Sequence, residues 1–159
     1  MARLDGVPSH EAVQRGLTAL ANMEHRGAEG ADADTGDGAG MLVQIPDRFF
    51  RATCDFPLPG PGRYAVAVCF LPDDARRRQT LEWLLVEKVT DAGLEILAWR
   101  DVPVRPEAAG RVARETAPVI RQLFSGAPEA MDGDAFERAL YLARRRAELA
   151  SADGRGAEL

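Results

Sequence analysis

Apolar positions along the chain follow two rhythms, one helical and one extended, broken by glycine and proline. Val13, Leu17, Leu20 and Ala21 fall at i, i+4, i+7 and i+8, one face of a helix running from Ser9 to about Glu24. Ser9 is placed to cap its start, and Glu11 lies in the first turn, where the helix dipole favours a negative charge. Gly27, just after His25 and Arg26, is a helix stop. Residues 27–40 (GAEGADADTGDGAG) fit neither rhythm and read as a multi-turn loop.

Met41 to Ile45 reads as a short apolar strand leaving that loop. Pro46 then opens a short helix with Phe49 and Phe50 turned inward. After the stiff stretch PLPGPG at 57–62, the run YAVAVCF from Tyr64 to Phe70 is apolar on both faces and predicts a central strand. A helix over about Asp73–Asp91 carries Leu81, Leu84, Leu85 and Val89 on its apolar side. The next strand, Leu94–Val102, alternates inward Leu94, Ile96 and Ala98 with outward positions, so the three elements form a βαβ-like unit. Residues 103–117 predict a loop with a short helical turn, and Val119–Phe124 a strand. Asp132 to about Leu149 predicts a final helix with Phe136, Leu140 and Ala143 on one face. The tail after it is expected to fray.

The 159 residues are the length of one ordinary domain. With 46% hydrophobic and 28% charged residues, the chain is neither disordered nor membrane-spanning in composition. A net charge of −5 argues against nucleic-acid partners, and no apolar run is long enough for a membrane span or a signal core. Cys54 and Cys69 make no disulfide framework, so a reducing cytoplasm is the expected location. Only Lys88 among the 20 basic residues is lysine, a bias that fits a GC-rich genome.

Candidate chemistry is sparse. Asp32 and Asp34 look like the start of a calcium loop, but the sixth and twelfth positions are Asp37 and Val43, where that loop takes Gly and Glu. A phosphate cradle would need a helix after the glycines, and three aspartates would repel the anion. His10 and His25 are the only imidazoles, and no Ser/His/Asp or Cys/His pairing follows from their spacing. Cys54 and Cys69 read as packing cysteines, and the triple arginines 76–78 and 144–146 as solvated helix faces.

Longer motifs carry more. Pro8-Ser-His-Glu11, Leu17-Thr-Ala-Leu20, Glu24-His-Arg-Gly-Ala28 and Asp34-Thr-Gly-Asp-Gly-Ala-Gly40 recur in one family. So do Gln44-Ile-Pro46, Phe70-Leu-Pro72, Trp99-Arg-Asp-Val-Pro103 and Pro118-Val-Ile-Arg-Gln122. Together they resemble the amino-terminal class II glutamine amidotransferase domain of the large subunit of glutamate synthase, over about residues 2–148. The resemblance implies a mixed α/β (α+β) fold, part of the α/β/β/α sandwich of amino-terminal-nucleophile hydrolases. It divides the chain into a partial amidotransferase domain, 1–148, and a tail, 149–159. Its chemistry is attack by an amino-terminal cysteine thiolate on the glutamine side-chain amide. Ammonia then passes to a synthase region that aminates 2-oxoglutarate with the help of FMN and an iron–sulfur cluster.

The family's cysteine would lie a few residues ahead of Ala2, where this sequence has Met1, and an upstream start codon is expected to explain the difference. The family's oxyanion residues would lie beyond residue 159. No catalytic residue is therefore assigned within the chain, no metal site is expected, and no cofactor is expected in it. His25, Arg26, Gly27, Asp37 and Gly38 are the candidate substrate-binding or supporting positions. The implied partners are glutamine and the remaining glutamate synthase polypeptide. A non-catalytic binding or regulatory module derived from the same domain is the alternative. A four-layer sandwich cut after its first half leaves sheet edges and apolar faces uncovered, so marginal stability or self-association of the isolated chain is expected.

Overall fold

The computed structural model describes residue 7 and residues 9–23 and 40–152. They divide into two compact units, one of Met1–Gln44 with Arg105–Thr116, the other of Ile45–Val104 with Ala117–Leu159.

In the first unit, α1 spans His10–Asn22. The Ser9 hydroxyl accepts the Ala12 N–H at 3.4 Å, and Glu11 pairs with Arg15 one turn on. The helix closes where the Met23 N–H donates to the Leu20 carbonyl at 3.0 Å. Met41 lies against Gly16, its methyl occupying space that a side chain at 16 would enter. The strand expected over 41–45 does not form, and Leu42 is fully exposed. An apolar run becomes a strand only where a ladder partner takes up its backbone groups, and none does so among the described residues. The 105–116 segment has the short helical turns expected of it, a 3-10 turn over Pro106–Ala108 and then a single-turn helix over Arg111–Glu115.

The second unit starts with α2, Asp47–Thr53, and β1, Tyr64–Leu71. The 17-residue helix α3, Ala75–Asp91, leads to β2, Glu95–Asp101. Counting the helix over Arg111–Glu115 as α4, the unit ends with β3, Val119–Gly126, and α5, Gly133–Ala152. The sheet order is β1-β3-β2, with β3 antiparallel to both neighbours. β1 and β2 therefore run parallel, and α3 crosses over the place that β3 later fills, a split form of the expected βαβ unit.

Two expectations change here. β1 is an edge strand of this sheet, and β3 is the central one. The apolar residues on both sides of β1 mark a surface that is only partly covered, whereas β3 is buried from Leu123 to Gly126. β2 also loses its simple alternation, because the register slips between Ile96 and Ala98. Leu94 and Ile96 pack on the helix side as expected, but Leu97 joins the opposite cluster and Ala98 comes opposite Phe124.

The two faces of the sheet hold separate cores. On one, α3 and α5 bring Val89, Phe136, Ala139 and Ala143 against Leu94, Leu123 and Ala127. Ala139 and Ala143, one turn apart, keep α5 close to its neighbours. Both helices are capped by aspartates. Asp74 accepts the Arg77 N–H at 2.8 Å and Asp132 the Ala135 N–H at 2.7 Å. α3 stops at Gly93, whose φ of +79° reverses the chain so that Leu94 N–H reaches the Val89 carbonyl at 3.2 Å. α5 runs to Ala152, past the expected end at Leu149.

On the other face, Phe50 of α2 meets Phe124 edge-on with ring centroids 5.1 Å apart, and Phe56 does so at 5.0 Å. Tyr64 completes this buried group. Phe49, expected to turn inward with Phe50, is 51% exposed. Successive helical residues point about 100° apart, so a short helix on a sheet buries one of the pair.

Candidate functional site

His25, Arg26, Gly27, Asp37 and Gly38 all lie outside the described residues. What is described on either side of them is α1 and the irregular stretch from Gly40. His10, the other imidazole, sits in the first turn of α1 with a ring nitrogen 2.9 Å from the Gln14 side-chain nitrogen, on an exposed surface. That is the setting of a solvated residue.

Neither cysteine has the surroundings of a nucleophile. Cys54 follows α2 directly, its N–H bonded to the Phe50 carbonyl at 2.8 Å, and it packs half-buried against the aromatic cluster. Cys69 lies in β1, with Sγ donating to the Ala67 carbonyl at 3.7 Å. Burial pushes its thiol above the ordinary value, so the thiolate that attack requires is disfavoured.

Two open clefts flank the sheet. The larger, about 490 Å³, is lined by Arg76, Arg78, Glu82, Asp101 and Arg121 among others. Three of these charges, Arg121, Glu82 and Asp101, are tied to one another. Arg121 donates to Glu82 at 2.7 Å and to Asp101 at 2.6 Å, with its guanidinium 5.1 Å from the Trp99 ring centroid. Arg78 donates to the carbonyls of Pro72 and Asp73 at 3.1 and 2.7 Å. This cleft is an ion-pair clamp joining α3 to the sheet. The second, about 440 Å³, includes Cys54, Asp55, Trp99 and Arg100 in its lining. Arg100 is held by Gln122 at 2.8 Å.

Several positioning residues had no signal in the sequence. Asp47 accepts hydrogen bonds from Tyr64 at 3.1 Å and from Arg51 at 2.9 Å, and Arg51 also donates to the carbonyls of Leu58 and Pro59. The Arg51 hydrogen bond, with that from Tyr64, holds the Asp47 carboxyl below its ordinary value. Burial, reinforced by Asp47, pushes Tyr64 up to about 12. Arg63 donates to the main-chain carbonyls of Ala127, Pro128, Glu129 and Met131 at 2.5 to 3.3 Å. The arginine runs are less uniform than solvated faces: Arg78 is tied to backbone, and Arg144 and Arg145 both pair with Glu148.

Among the described residues, no group of three or more His, Cys, Asp or Glu side chains could hold a metal ion. No helix among them is long and apolar enough to cross a membrane.

Similarity to known proteins supplies what this geometry does not. A glutamate synthase [NADPH] large chain of Bacillus subtilis (strain 168) is 42% identical over 149 residues, covering 92% of this chain and 10% of the relative. The ferredoxin-dependent glutamate synthase 2 of Synechocystis sp. is 38% identical, over 91% of this chain and 9% of its own length. The ferredoxin-dependent glutamate synthase 1 of Arabidopsis thaliana is 39% identical, over 96% and 10%. The chain thus spans about a tenth of the length of the curated relatives it matches. The family model "Glutamine amidotransferases class-II" matches residues 1–158. The chain belongs to the class-II glutamine amidotransferases, and its sequence is similar to the amidotransferase domain of glutamate synthase large chains.

Proposed function

We propose that these residues form scaffold of a glutaminase that releases ammonia from glutamine for glutamate synthesis from 2-oxoglutarate. The observation that carries this reading is the family match over residues 1–158, joined to relatives that are glutamate synthases. In such a reaction a thiolate forms a bond to the amide carbon of the glutamine side chain, and the C–N bond breaks as ammonia leaves with a proton. Water then cleaves the thioester and returns glutamate. Neither Cys54 nor Cys69 supplies that thiolate, one being packed against aromatics and the other kept protonated by burial. The 159 residues alone, without a further thiol, are therefore inactive toward glutamine.

His25, Arg26, Gly27, Asp37 and Gly38 support the substrate site in this proposal, and the remaining glutamate synthase polypeptide is the working partner. FMN and an iron–sulfur cluster belong to that partner. The two cysteines here, on separate elements, fall short of the four thiolates a cluster takes. Relatives named for NADPH and for ferredoxin match at 42%, 38% and 39%, so this segment does not separate the two donors.

A segment exchange tests the proposal. Residues 2–148 are grafted into the matching segment of a glutamate synthase large chain, and ammonia release from glutamine is measured. A working graft that loses at least tenfold in kcat/KM on Arg26→Ala or Asp37→Ala supports the assignment. A graft that folds, binds its partner regions and releases no ammonia contradicts it.

A further inference from the structure

No further inference is drawn: the strongest candidate, the open end of the sheet face formed by Val68 and Phe70 with Gln122 and Arg100, is an unpartnered apolar face, and nothing in the structure shows what covers it.

Discussion

The two faces of the sheet are built from similar residues and end in different states. The face under α3 and α5 is closed around Leu123, and farther along β3 Arg121 pairs with Glu82 of α3. The opposite face is closed only where α2 and the loop after it bring Phe50 and Phe56 over Phe124. Farther along, Val68 is 52% exposed and Phe70 69%. Apolar composition is thus no guide to burial, which depends on whether another element arrives to cover the strand. On the open end the polar side chains lie within the sheet itself, where Arg100 bonds Gln122 and sets its guanidinium 6.0 Å from the centroid of Phe49.

Substitution along β3 and β1 is the direct way to break this contrast. Phe124, 0% exposed, is expected to cost about 3–5 kcal/mol on change to Ala, read from the urea midpoint. Leu123→Ala, facing the helices, should cost about 2–5 kcal/mol. Phe70→Ala should fall within about 0.5 kcal/mol of the parent protein. If Phe70→Ala cost as much as Phe124→Ala, the open face would be closed in solution.

Arg63 sharpens the comparison at the shared end of the sheet, where it ties β1 to the turn that leads into α5. Arg63→Ala should destabilise by about 1–3 kcal/mol, because several carbonyls lose a charged donor together. Arg63→Lys, which lacks the planar fork, should recover only part of that loss.

A smaller effect is expected at the strap formed by α2. Tyr64→Phe removes the hydrogen bond to Asp47 and should cost about 1 kcal/mol. The folded-state value of Tyr64 is raised, so its contribution is full below about pH 10, the unfolded value. It is lost as pH rises through about 12. Asp47 behaves in the opposite sense. Its folded value is lowered, chiefly by Arg51, so its contribution is present above about pH 3.9 and lost as pH falls through the folded value. Urea midpoints measured across alkaline pH should decline more steeply in the parent than in Tyr64→Phe, which keeps only the decline from groups such as Cys69. An identical decline in both proteins would detach Tyr64 from the strap.

What the sequence alone discloses divides along the same physical line. Local signals were legible: Ser9 as a cap, the helix carrying Val89, and the helix face of Phe136 and Ala143. The position of a strand within its sheet was not, because it depends on partners distant in the chain. β3 carries Arg121 and Gln122, which disguise a central strand. Their partners Glu82, Asp101 and Arg100 lie 20 or more positions away. Likewise the slip at Ile96 and Ala98 leaves no mark on the alternation of β2. The candidate site residues came from resemblance rather than from chemistry visible in their spacing, since one imidazole and one carboxylate in or beside a glycine-rich loop fit several uses.

The central functional claim concerns thiols, and one assay addresses it. Ammonia release from glutamine is measured for the 159-residue chain and for its Cys54→Ser, Cys69→Ser double variant, each verified as folded by circular dichroism. The account predicts that both remain at the rate of buffer alone. A rate above that background in the parent chain, abolished in the folded double variant, would contradict it and place the nucleophile at one of these two cysteines.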